Sequence, residues 1–145
     1  KAREAAREAE RRAAAARARA YAASHSGKVA KALETVKSEM GKPYVWGAAG
    51  PDAFDCSGLM QYSFARAGIF LPRTADAQSH AVRSIPSSQL QPGDLIFFGS
   101  GHVYHVGMFL RWEGGQAIML HAPHPGASVR EEAAWGSDWH AGTLR

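Results

Sequence analysis

The sequence holds a single cysteine, Cys56, among 145 residues. One thiol excludes an intrachain disulfide framework and a zinc site built from several thiolates. No run approaches the ~18 apolar residues that a membrane span requires. Residues 1–20 contain no apolar side chain larger than alanine, so they lack both an apolar face and the hydrophobic stretch of a signal peptide. There is no initiator methionine, and the chain reads as a piece of a longer protein. Charge of one sign is also missing from most of it. The formal net charge is +4, but residues 1–20 carry seven basic and three acidic side chains, whereas residues 21–145 carry ten of each. A neutral body has no domain-scale basic patch, which argues against nucleic acid as a partner.

What is present is enough apolar material for one core. A hydrophobic fraction of 46% is too high for a disordered chain, and the length suits one domain with an appendage. Residues 1–25 read as an Ala/Arg/Glu-rich helical tail or linker, and residues 26–145 as the domain. Half of the first 20 residues are alanine, so helix propensity is high. This segment reads either as a solvated leader or as the end of a longer helical segment. Ser24-His25-Ser26-Gly27 is expected to break the helix. A second helix is expected after it, with Val29, Leu33, Val36 and Met40 on one face. Asp55 is a good N-cap for a helix over Cys56–Ala67, and Thr74 for a short one over Arg73–Val82. Leu95–Phe98, Val103–Trp112 and Gln116–His121 read as strands, the last two joined by Glu113-Gly114-Gly115. Helices followed by an antiparallel meander define an α+β class.

Cys56 is the main candidate for chemistry. In the first turn of a helix, unpaired N–H groups and the positive end of the dipole favour a thiolate. Position alone leaves open a buried, inert thiol. Seven histidines are possible partners. Strand alternation puts Val103, His105, Gly107 and Phe109 on one face, with Gly107 leaving room beside His105. His121 ends the adjoining strand, so the two histidines can lie side by side and complete a Cys–His–third-residue arrangement. A rival use of the same residues is zinc binding by His102, His105, His121 and His124. Residues three apart on a strand point to opposite faces, which disfavours chelation by either His-x-x-His pair. His25, His80 and His140 read as surface residues, and Trp135 and Trp139 as core or lid packing.

The ordered series Tyr44-Val45-Trp46-Gly47, Phe54-Asp55-Cys56-Ser57-Gly58-Leu59, Leu71-Pro72-Arg73, Leu90 to Phe98, His105-Val106-Gly107-Met108 and His121-Ala122-Pro123 resembles the NlpC/p-sixty cell-wall cysteine peptidases. The resemblance runs from about residue 40 to residue 130. It implies a papain-like α+β fold, with N-terminal helices packed on an antiparallel sheet, and hydrolysis of peptidoglycan stem peptides, most specifically the bond between D-glutamate and a diamino acid. It also implies Cys56 as nucleophile, His105 as base, His121 as the residue that orients it, and Tyr44 beside the nucleophile. By the same resemblance Asp55, Ser57 and Arg73 lie around the substrate groove. Asp55 could instead be a helix cap alone, and Arg73 a surface ion-pair partner. No metal or cofactor is implied. Ala48 stands where the family usually has a second glycine, and alanine is harder to place at positive φ. The resemblance further implies a secreted, extracytoplasmic site of action. The alternatives are a related Cys–His amidase or acyltransferase and a non-catalytic cell-wall-binding module. The tail is expected either to hold the protein near anionic wall polymers or to fold back across the groove.

Overall fold

The computed structural model describes the backbone of residues 1–145 and every side chain except those of residues 18 and 21–24. Helix α1 spans Ala2–Ser38, α2 Cys56–Arg66 and α3 Ala75–His80. The strands are β1 Arg83–Ile85, β2 Leu95–Phe98, β3 His105–Glu113, β4 Gln116–His121, β5 Arg130–Ala133 and β6 Trp139–Thr143. They form one six-stranded sheet in the order β1-β6-β2-β3-β4-β5, with every pairing antiparallel. The architecture is α+β and papain-like.

The sheet's two faces carry separate cores because successive side chains alternate. On the helical face Leu95, Phe97, Val106, Met108 and Leu120 pack against Val29, Val36, Leu59, Met60 and Phe64 of α1 and α2. On the other face Ile96, Phe98, Phe109 and Met119 pack with Ile85, Leu90 and Trp139. The α2 helix lies across β3 and against α1.

Several expectations change. Helix α1 runs unbroken through Ser24-His25-Ser26-Gly27. One helical glycine costs about 1 kcal/mol, and the alanine-rich flank and the packed turns after it offset that. Among the described residues Val29 is the first buried apolar side chain of α1, and Met40 lies beyond the helix end with its side chain exposed. His25 is half-buried on this helix rather than on the surface. Strand β3 starts at His105, two residues later than expected, and Val103 turns to the helical face. Finally, β1, β5 and β6 carry no strand pattern of their own. Arg130-Glu131-Glu132-Ala133 is polar and becomes a strand because β4 offers it a free edge.

Candidate active site

The Asp55–Gly58 turn sets the position of the thiol. The Asp55 carboxylate caps α2, with its Oδ1 accepting from the Gly58 N–H at 2.7 Å and its Oδ2 from the Gly47 N–H at 3.0 Å. The Ala48 carbonyl accepts from the Asp55 N–H at 2.8 Å and presses onto α2. A Cβ at position 58 would lie 2.1 Å from that oxygen, so the glycine of Cys-Ser-Gly is required by close packing. Ala48 avoids the expected difficulty, because Gly47 rather than Ala48 takes the positive φ in this loop.

Arg73 binds Asp55 with both arms of its fork, at 3.0 and 2.7 Å, and donates to the Ser57 hydroxyl at 2.9 Å and the Ala48 carbonyl at 3.4 Å. Its Nη hydrogens are thereby all engaged, and its charge faces a carboxylate at close range. Asp55 is therefore both a cap and an ion-pair partner. Tyr44, Trp46, Asp55, Cys56, Ser57 and Arg73 line an open cavity of about 610 Å³, and Asp76, His102, Val103 and Tyr104 line it too. Asp76, which the sequence did not single out, accepts from the Val103 N–H at 2.9 Å and so anchors the segment that leads into β3.

The backbone N–H groups of Val106, Ser57 and Cys56 itself favour the Cys56 anion. The strongest of these, Val106, follows His105 on β3. The helix-start N–H groups pull the thiol pKa down as expected, but burial outweighs them and the net shift is upward. Burial also raises the Tyr44 phenol, chiefly, with help from Cys56 and Asp55, so its hydroxyl stays a donor.

His105 and His121 come together. The His105 Nε2 lies 2.8 Å from the His121 Nδ1, and the His121 Nε2 lies 2.9 Å from Glu132 Oε1. Glu132 Oε1 also accepts from Arg130 Nε at 2.8 Å. Gly107 makes the pair possible, since a Cβ there would sit 2.6 Å from the Met119 sulfur and 3.4 Å from the His121 Cβ. Burial, above all, drives the His105 pKa down to about 3, with His121 adding to it, and burial lowers His121 as well. Both rings are neutral at rest. The Trp135 ring stacks on Phe98 at 4.2 Å and lies 5.3 and 5.8 Å from the rings of His105 and His121, covering the pair as a lid. Tyr104, His105, His124, Arg130, Glu132 and Trp135 line a second cavity of about 270 Å³, which shares Tyr104 with the first.

The four histidines of the rival zinc reading do not converge. His105 and His121 bond to each other, while His102 lies by Asp76 and His124 faces the Pro125 carbonyl. Among the described residues no group of three or more His, Cys, Asp or Glu side chains is placed to hold a metal ion. His80 and His140 are exposed, and Trp139 packs into the second core. The sequence reading missed Glu132 and Arg130. Their one signal is alternation of charge on a strand, which most exposed strands share.

A thiol at a helix start, packed on an antiparallel sheet that bears paired histidines, fits the papain-like α+β fold. A sequence model of the NlpC/P60 family matches residues 41–145, and the chain belongs to that family. It is 43% identical over 109 residues to a probable endopeptidase p60 of Listeria monocytogenes, covering 74% of this chain and 21% of that protein. It is 44% identical over 106 residues to the peptidoglycan endopeptidase RipA of Mycolicibacterium smegmatis, covering 64% of this chain and 20% of that protein. The chain thus spans about a fifth of the length of these relatives. The structure of the peptidoglycan hydrolase RipB of Mycobacterium tuberculosis superposes with a TM-score of 0.72 at 31% identity, covering 84% of this chain and 67% of that one.

Proposed function

We propose that this domain is a cysteine endopeptidase that cleaves peptidoglycan stem peptides, at the bond between D-glutamate and a diamino acid, outside the cytoplasmic membrane. The observation that carries the reading is the His105–His121 pair at 2.8 Å on the sheet against which α2, with Cys56 at its first position and lining the groove, is packed. Family membership and the printed activities of the relatives support the substrate class. Cys56 passes its proton to His105 as the sulfur attacks the amide carbonyl. The Cys56 N–H and the Tyr44 hydroxyl stabilise the oxyanion. The His105 imidazolium returns the proton to the leaving amine, giving a thioester. His105 then takes a proton from water as the water attacks that thioester, and the carboxylic acid leaves with the thiol restored. His121 keeps His105 in orientation, while Asp55, Ser57 and Arg73 shape the wall of the groove beside the thiol. No step requires a metal or cofactor. The arginines of the tail hold the domain near anionic wall polymers.

Mass spectrometry of fragments released from defined muropeptides tests this. The unaltered protein is expected to release fragments ending in D-glutamate, and Cys56→Ala and His105→Ala each to lose at least about 1,000-fold in rate. Retained activity in either variant removes the assigned mechanism. Binding of muropeptides without turnover by the unaltered protein identifies a wall-binding module instead, and products joined to an added amine identify an acyltransferase.

A further inference from the structure

The hydrogen-bonded chain does not end at His121. Among the described residues four groups follow one another, His105, His121, Glu132 and Arg130, at 2.8, 2.9 and 2.8 Å. Glu132 sits on β5, an edge strand, and its neighbour Arg130 stands opposite His121 in the β4–β5 register. His121 is fully buried, so each of its ring nitrogens must be satisfied inside the protein.

The proton positions follow from what each partner is able to do. The Arg130 guanidinium only donates, so Glu132 Oε1 is an acceptor toward it. An ionised carboxylate has no proton to give, so His121 must carry hydrogen on Nε2 and donate it to Glu132. Neutral His121 then has a bare Nδ1, which accepts. His105 must therefore carry hydrogen on Nε2, which leaves its Nδ1 as the unprotonated nitrogen. If Glu132 were absent, His121 could hold its proton on Nδ1 and point it at His105. His105 would then have to accept at Nε2 and carry hydrogen on Nδ1, and Nδ1 would no longer be a base. We infer that Glu132, held by Arg130, is a positioning residue that fixes the tautomers of both histidines and thereby keeps the His105 Nδ1 free to take the thiol proton. This rests on the proposed thiol mechanism for its effect on rate, though not for its effect on the tautomers. It acts through two intervening rings, as a carboxylate acts through one in a Ser–His–Asp triad.

The test combines NMR of protein labelled with 15N in its histidine rings and steady-state kinetics on a defined muropeptide. In the unaltered chain both rings are expected to show hydrogen on Nε2. In Glu132→Ala, with the backbone spectrum confirming the fold, His121 and His105 are expected to gain the Nδ1–H form. The value of kcat should fall about 10- to 100-fold, part of the ~100- to 10,000-fold that a positioned base supplies, with KM within about two-fold. Glu132→Gln keeps an acceptor oxygen for both donors, so it should restore the tautomers and recover part of kcat. If the alanine variant does not fold, Glu132→Met, which fills similar space with no carboxylate, takes its place with the same expected and overturning outcomes. Unchanged tautomers in the alanine variant overturn the inference, as does a tautomer change that leaves kcat intact. An unaltered chain with no hydrolase activity refutes the proposed function instead, and the NMR comparison still decides the tautomers.

Discussion

At the scale of single residues, the chemistry turns on how burial acts on Cys56 and His105. Burial pushes the thiol up and the imidazole down, the first against three N–H groups that favour its anion. A raised acid and a lowered base both keep their neutral forms at rest, so the pair does not store a thiolate and an imidazolium. The sign of the pH dependence follows. With no imidazolium beside it, the thiolate fraction grows only as pH climbs past the ordinary thiol range. Iodoacetamide should label Cys56 slowly at about pH 6 and faster with each step in pH, without a plateau below about pH 9. A rate already level at about pH 6 would reveal a resting ion pair and overturn this reading. Sequence position alone pointed the other way, because it registers the helix start and not the desolvation.

At the scale of elements, the start of α2 carries more than its cap. Asp55 satisfies two backbone N–H groups and both arms of Arg73. Asp55→Ala should therefore cost the ~1 kcal/mol of a lost cap together with the order of the Arg73 side chain, in a denaturant titration. Asp55→Asn keeps a capping oxygen and should recover most of the cap while leaving Arg73 without its carboxylate. Equal stability of the alanine variant and the parent would show that the cap contributes nothing. Local signals made this helix legible, with Asp55 before it and apolar residues at helical spacing within it. The same holds for β2 and β4, which form over the residues that their patterns predict. The edge strand β5 was not legible, because its polar residues become a strand through pairing with β4, and pairing is a property of distant residues.

At the scale of the whole molecule, the charge excess and the reaction are separate. Residues 1–17 are exposed along the front of α1, and among the described residues none of the tail lines either cavity. This is not the arrangement of a tail folded across the groove. Removing residues 1–25 leaves Val29, Ala32 and Val36, the buried apolar residues of α1 among those described. The shortened chain should keep its kcat/KM on soluble muropeptides and lose the salt-sensitive part of its sedimentation with purified wall. That part should also vanish for the full chain at about 1 M salt, where the screening length is about 3 Å. Faster turnover after truncation would restore the inhibitory reading, and wall binding indifferent to both changes would end the tethering one.

By itself the sequence determined the α+β class, the helix that presents Cys56, the strands that carry His105 and His121, and the seat of the +4 charge. These depend on periodicity, caps and composition, all of which act over a few neighbouring residues. The tertiary structure decided the rest. It put Asp55 and Arg73 in one ion pair, Val106 at the sulfur, Trp135 over the histidines and Glu132 behind them. It also set the burial that acts on the thiol and the imidazole. Each of those outcomes depends on burial and on contacts between residues far apart in the chain, and no local pattern encodes either.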